Sequence, residues 1–444
     1  MTLGRGVALS CQIKLRLFVL LALFFFFVGS EGLLLSPATA QEKLARLPAL
    51  NLHGVFFLDK DEGWVVGQLG GIFHTTDGGK SWEAQQSGVS TLLSAVNFVD
   101  RTHGWAVGES GVILHTQDGG STWKRQQSGF EPRAGLPPAE TRGPRLKKGV
   151  VTSHIGSLPL FDVAFIDRNT GWVVGHLGAI LFTQDGGRHW VDRSLSISLE
   201  ERQRVIQAAA LHDVVDPGTG EIIAETGQLL DDLLIAEIRQ SGVRDVRVRE
   251  DTVLNGVFFL DQAHGWIGGE HGLVLRTQDA GKTWERAVLP RHPVHEQETV
   301  DAEFSTEELE AFGVEVPSPS VYGLCFVSPL RGWAVGQDGT IAYTQDGGRQ
   351  WEFQPIDVRQ ALYGVRVIGQ QGWVVGDRGT VLVSTNGGMG WNQVELGPEY
   401  RLSWMRRLSV VPGNHSFLVG AYGLFLVSGS SPDRGFWIQR PDEQ

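Results

Sequence analysis

Carboxylates recur at one fixed place along this chain. Asp77, Asp118, Asp185, Asp279 and Asp346 each sit in a box of the type Thr-x-Asp-Gly-Gly-x-x-Trp, closed by Trp82, Trp123, Trp190, Trp284 and Trp351. A sixth copy places Asn386 where the acid stands and ends at Trp391. Repeated acids could serve acid–base hydrolysis of a glycoside or ligate a metal ion. Both chemistries need groups that converge, and the same residue once per repeat cannot converge on one substrate. A structural role accounts for the pattern better. Asp at the head of a turn accepts hydrogen bonds from downstream backbone N–H groups, Gly supplies the positive φ of the turn, and Trp packs as an anchor between neighbouring units. No catalytic residue, metal ligand or cofactor is therefore assigned.

The elements that must hold these boxes follow from a repeat. Gly-Trp recurs at Trp64, Trp105, Trp172, Trp266, Trp333 and Trp373, each time followed by a short apolar run, a Gly turn, a second apolar run and the box. A seventh copy is eroded: Ser416-Phe-Leu-Val-Gly420 replaces the Gly-Trp segment and Trp437 closes an irregular box. Each unit contains four strand-like runs, in the first Leu52–Leu58, Trp64–Gly67, Gly71–Thr75 and Trp82–Gln86. One such sheet buries little by itself. Seven arranged radially bury their faces against one another, so the fold class is all-β, a seven-bladed β-propeller over 41–444. The 58 glycines fit many tight turns and argue against long helices. Residues 41–50 are expected to add an outer strand to the last blade.

The Gly-Trp spacings of 41, 67, 94, 67 and 40 residues reveal three insertions, 129–153, 196–251 and 290–318. Each follows the fourth strand of a blade, so all three should leave on the face that carries the turns between strands two and three. Loops on a rigid scaffold are where binding concentrates. The first is Pro-rich and basic, with Arg133, Arg142, Arg145, Lys147 and Lys148; Arg378 lies on a two–three turn of the same face, and these six are the candidate partner contacts. The second reads as one small α+β module, with helices at 199–211 and 231–241 and strands around Pro217-Gly-Thr-Gly220. The third is acidic, with a Ser305/Glu308 capping box for a short helix.

Before the propeller, Lys14 and Arg16 precede an apolar run from Leu17 to Val28, and Ala38-Thr-Ala40 follows. This reads as a signal peptide over 1–40, with export to the periplasm or the thylakoid-lumen side and a soluble or peripheral mature chain. Its removal leaves 35 basic and 49 acidic residues, a charge of −14. Such an acidic chain offers no general nucleic-acid face. Cys325 is then the single cysteine, so stability rests on packing rather than an intrachain disulfide.

These residues carry a family resemblance. The boxes resemble Asp-box (BNR) repeats, and the fuller pattern Val257-Phe-Phe-Leu-Asp-Gln-Ala-His-Gly-Trp266 plus box resembles the photosystem II assembly/stability factors, exported seven-bladed propellers. The resemblance implies a non-catalytic scaffold, a monomer bound to a protein partner that is an intrinsic membrane complex or its precursor subunit. Residues 213–249 resemble a small segment of the bacterial RNA polymerase large subunits, without that enzyme's catalytic aspartates, and imply an interaction module only. The alternative is a secreted carbohydrate-active Asp-box propeller of sialidase or xyloglucanase type. Against it, no Arg-Ile-Pro, G-x-S-x-G or H-E-x-x-H occurs; a two-carboxylate glycosidase stays open, because carboxylate separation is invisible in sequence.

Overall fold

The computed structural model describes residues 43–44, 47–128, 158–198, 208–210, 212–225, 227–243, 246–290, 318–413, 415–428 and 436–438. The signal-peptide segment, the first and third insertions with their loop and helix, and the candidate contacts Arg133, Arg142, Arg145, Lys147 and Lys148 lie outside the described residues.

Short β-branched and aromatic runs between Gly-Asp turns form seven antiparallel four-stranded up-and-down blades. Blade one is Leu52–Phe57, Gly63–Gly67, Ile72–Thr75 and Trp82–Gln85. The inner strands of the other six are Leu93–Phe98, Leu160–Phe165, Leu254–Phe259, Val321–Phe326, Leu362–Ile368 and Met405–Val411. Each packs on the next, and the seventh packs on the first, which closes the ring. The fourth strand of blade seven is Phe436–Ile438, with Trp437 opposite Val427. Lys43–Leu44 adds a fifth strand to blade one, against Trp82–Gln85, and not to the last blade as the repeat count suggested.

The core lies between blades. The Gly-Trp tryptophans are fully buried: Trp64, Trp105, Trp172, Trp333 and Trp373 expose nothing, and the box Trp82 is buried with them. Four of the six stack face to face on a Phe at the end of the next blade's inner strand: Trp64 on Phe98, Trp105 on Phe165, Trp172 on Phe259 and Trp266 on Phe326, at 3.5–3.6 Å between centroids. At the closing seam Phe417 takes the Trp position and stacks on Phe57 at 3.5 Å. The eroded seventh copy thus keeps the contact that matters. The box tryptophans Trp82, Trp123, Trp190, Trp284 and Trp351 meet the same Phe edge-on; Trp82, Trp123 and Trp351 are buried, and Trp190, Trp284 and Trp391 partly buried.

Within the second insertion, Ser196–Ser198 pairs with Arg247–Arg249 as a two-stranded stem. Beyond it, Val214–Val215 pairs with Ile222–Ala224, and the helix Asp232–Gln240 is capped by Asp231, which accepts from Leu234 N at 2.8 Å. Leu234, Ile235 and Ile238 close a separate small core with Val214, Ile223 and Val248. The helix expected over 199–211 does not extend through its end: Ala208–Ala209 is a strand paired with Leu229–Leu230, while 199–207 lies outside the described residues. Alanine favours helices intrinsically, but that preference is weak and the tertiary strand pairing overrides it.

Candidate functional site

The box carboxylates are built into turns. Asp118 Oδ1 accepts from Thr122 N at 2.8 Å and from Thr116 Oγ1 at 2.8 Å, and Oδ2 accepts from Thr122 Oγ1 at 2.7 Å. Thr116 Oγ1 in turn accepts from Gly120 N at 2.8 Å. Asp77, Asp185, Asp279 and Asp346 repeat the arrangement, and Asn386 keeps it through Oδ1, accepting from Gly390 N and Ser384 Oγ. Burial alone would raise the Asp118 pKa, but the Thr122 and Thr116 hydrogen bonds outweigh it and hold the carboxyl below its usual range. At Asp279 the Thr283 N–H and hydroxyl lead, and the pKa falls to about 2. Both glycines of a box adopt positive φ, 74° and 87° at Gly78 and Gly79. In the fourth box Ala280 occupies that region at φ 62°.

A glutamine three residues after the box Trp ties blades together, a role the box pattern alone did not reveal. Gln85 Nε2 donates to Gly119 O at 2.9 Å, and its Oε1 accepts from Trp123 Nε1 at 3.0 Å, both in the next blade. Gln126 and Gln354 do the same toward Gly186/Trp190 and Gly388/Trp391. Blade three has Arg193 there, which donates to Ala280 O at 3.2 Å but cannot accept, and Trp284 Nε1 is accordingly left without an acceptor among the described residues. The signal, Trp-x-x-Gln after three boxes, is visible once the repeats are aligned.

Chemistry that is not repeated lies on the axis. All seven inner strands carry a β-bulge at the second residue. The bulged residues are His53, Ser94, Phe161, Asn255, Tyr322, Tyr363 and Arg406, a mouth of seven side chains of six types. Bulges re-aim side chains where a ladder is interrupted. The mouth opens on the face of the two–three turns, since each such turn donates to the linker entering an inner strand, for example Gly111 N to Leu158 O, Gly178 N to Thr252 O and Gly379 N to Ser403 O. The second insertion leaves from this face: its stem starts where Leu195 meets Gly178. Arg378, exposed at φ 51° on the blade-six turn, is on it too.

At the mouth the Arg406 guanidinium lies 5.2 Å over the Tyr363 ring, Tyr363 is 5.5 Å from Tyr322, and His53 is 5.0 Å from Trp404. Desolvation and then the neighbouring Arg407 lower the Arg406 pKa, against the two tyrosines, which favour its charged form. Burial, then Arg406 and Arg407, push His53 down to about 4, so this imidazole is neutral at pH 7. Glu270, Asp338 and Asp377 stand around the rim. One step deeper, the third residues read Gly54, Ala95, Asp162, Gly256, Gly323, Gly364 and Arg407. Small residues keep the axis open, and Arg407 of blade seven crosses it to Asp162 of blade three at 3.0 Å. Asp162 also accepts from Val163 N and Val257 N, each at 3.0 Å. Below, Arg366 Nη1 donates to Leu324 O and Val365 O at 3.2 and 3.1 Å. These arginines were missed in sequence because each looks like one polar residue in a strand; aligning the inner strands shows charge at positions that are small or aromatic elsewhere.

Among the described residues Asp162 is the single carboxylate lining the axial cavity, and it is already ion-paired. A two-carboxylate glycosidase needs a second acid facing it. Among the described residues no group of three or more His, Cys, Asp and Glu side chains could hold a metal ion.

Fold and seams define a seven-bladed Asp-box propeller whose distinctive surface is an arginine- and tyrosine-lined mouth on the insertion-bearing face. The family profile of the photosystem II assembly factor YCF48 matches residues 42–130, 150–213 and 302–403, more than half of the chain, and the protein belongs to this family. The photosystem II assembly lipoprotein Ycf48 of Synechococcus sp. (strain CC9902) is 25% identical over 264 residues, 45% of this chain and 76% of that one. The solved structure of YCF48 bound to a D1 peptide is similar at TM-score 0.52 and 16% identity, covering 89% of this chain and 97% of that one. The DNA-directed RNA polymerase subunit β′ of Neisseria meningitidis (serogroup C / serotype 2a, strain ATCC 700532 / DSM 15464 / FAM18) is 46% identical over 48 residues, 11% of this chain and 4% of that one.

Proposed function

We propose that this protein is an exported, non-catalytic assembly factor that holds a subunit of a membrane complex, photosystem II in the first instance, on its insertion-bearing face. The observation that carries the reading is the mouth itself. Arg406 has no carboxylate within ion-pair distance among the described residues, two tyrosines and a Trp–His pair surround it, and no reacting constellation accompanies it. Arginine beside aromatic rings suits an extended acidic or carboxylate-ended peptide, held by charge-assisted hydrogen bonds and ring contacts. The D1 peptide bound to the related structure supports a client of that kind. Arg378 and the basic loop residues Arg133, Arg142, Arg145, Lys147 and Lys148 would steer such a client toward an otherwise acidic molecule.

The protein works in this reading as a monomer, peripheral to the membrane; relatives are named lipoproteins, and among the described residues no helix is long and apolar enough to cross a bilayer. The test is affinity isolation from crosslinked membranes, comparing the parent with Arg406→Glu and with a variant lacking 129–153 and 197–248. The second cut is closable, because Ser196 and Arg249 are strand partners. Recovery of D1 by the parent, reduced in the variants, is expected. Equal recovery by all three, or hydrolysis of a polysaccharide panel abolished by Asp162→Asn, would overturn the reading.

A further inference from the structure

Beneath the mouth lies an axial cavity of about 170 Å³ that is partly open to solvent. Its walls include Phe56, Ala164 and Phe258, and its polar lining includes Asn97, Asp162, Arg366 and Arg407, but not Arg406. The charge balance is uneven. Asp162 answers Arg407 and is otherwise committed to two backbone N–H groups. Arg366 has no carboxylate within ion-pair distance among the described residues; one of its terminal nitrogens is bonded to two carbonyls, and its guanidinium lies 5.6 Å from the centre of the Phe258 ring. A guanidinium presents five donors and stays charged at every accessible pH. Partly buried beside these apolar walls and without a carboxylate partner among the described residues, it suits an anion.

The geometry points to a small-anion site on Arg366 and Arg407, distinct from the client-binding mouth, that takes a planar carboxylate-class monoanion. Planarity follows from the forked donors, which match a two-oxygen acceptor, and from the flat Phe56 and Phe258 walls. Size follows from the volume: a cavity of about 150 Å³ accommodates a benzene-sized molecule, so this one admits an acetate-sized ion with water. The bound ion would join blades six and seven through Arg366 and Arg407, and Arg407 is in turn paired with Asp162 of blade three, so its occupancy should stabilise the ring.

The test is a thermal melt and a calorimetric titration of the full chain with sodium acetate, at ionic strength held constant with sodium chloride. The parent should show a saturable rise in melting temperature and a heat of binding. Arg366→Gln should lose at least about tenfold in apparent affinity, a difference of about 1.4 kcal/mol. Should Arg366→Gln fail to fold, Ala164→Leu fills the cavity without touching either arginine and should abolish the response as well. Arg406→Gln, a mouth variant, should keep the acetate response while losing client, which separates failure of this site from failure of the client reading. No saturable acetate effect in the parent, or the same effect in parent, Arg366→Gln and Ala164→Leu, overturns the proposal.

Discussion

Replacing Trp105 by Ala tests where the stability of this propeller resides. Trp105 is fully buried, stacks on Phe165 of the next blade at 3.5 Å and on His115 of its own blade at 4.7 Å, and donates from Nε1 to Gly186 O at 3.2 Å. Truncating a buried Trp to Ala costs about 3–5 kcal/mol through lost transfer energy and the cavity left behind. No further penalty for an orphaned carbonyl applies, because Gly186 O also accepts from Gln126 Nε2 at 2.7 Å. Trp190, the box tryptophan one blade on, is partly exposed and meets Phe165 edge-on at 5.9 Å. Its loss should cost less, about 2–3 kcal/mol, since water can reach the space it vacates. Guanidinium melts of parent, Trp105→Ala and Trp190→Ala measure both. A Trp190→Ala variant less stable than Trp105→Ala, or a Trp105→Ala midpoint equal to the parent's, would refute the assignment of the inter-blade core to the Gly-Trp tryptophans.

Four further outcomes are expected. Asp118→Ala removes three hydrogen bonds to one carboxylate and should cost about 1–3 kcal/mol by thermal melt, with Asp118→Asn losing less, as the native Asn386 indicates. Ala280→Gly should stabilise by up to about 1 kcal/mol, because it relieves a left-handed alanine where other boxes have Gly, against the added freedom of the unfolded chain. Stability should fall in two stages on acidification. His53 and His115, both depressed to about 4 chiefly by burial, contribute stability that is complete above about pH 6.5 and is lost down to about 4. Asp185 and Asp279, with pKa about 2, contribute stability that is complete above about pH 4 and is lost as the pH falls through about 2; melts of a His53→Gln/His115→Gln pair should flatten the first stage alone. Phe417→Ala should open the closing seam by removing the stack on Phe57, seen as faster hydrogen exchange in blades one and seven than in blade four.

Repetition made the fold legible. A single Asp-Gly-Gly turn says little, but six boxes and six Gly-Trp pairs at a common period identify blades, their number and the face from which the second insertion leaves. The repetition did not rank the two tryptophans of a blade. The box Trp packs between blades, buried at Trp82, Trp123 and Trp351 and partly buried at Trp190, Trp284 and Trp391, while the strand-two Trp is buried in every blade that has one. The outermost strands were hard to place for a related reason. Lys43–Leu44 and Phe436–Ile438 are two- and three-residue strands whose partners are chosen by tertiary packing, not by local pattern. The axial mouth was hidden because its residues are set by position within the inner strand and follow no common residue type: His53, Asn255, Tyr363 and Arg406 occupy equivalent bulges. The small module was legible where turn chemistry is explicit, at Asp216-Pro-Gly-Thr-Gly220 and the Asp231 cap, and misread where two alanines join a strand.

The mouth is proposed as the place where a client is held. A binding titration of the purified protein with peptides tiled across D1, read by fluorescence anisotropy, tests this most directly. Saturable binding of an acidic or carboxylate-ended peptide is predicted, weakened at least about tenfold by Arg406→Gln and weakened further by added salt. Binding that is indifferent to Arg406 and to salt, or no binding by any D1 peptide, would contradict it.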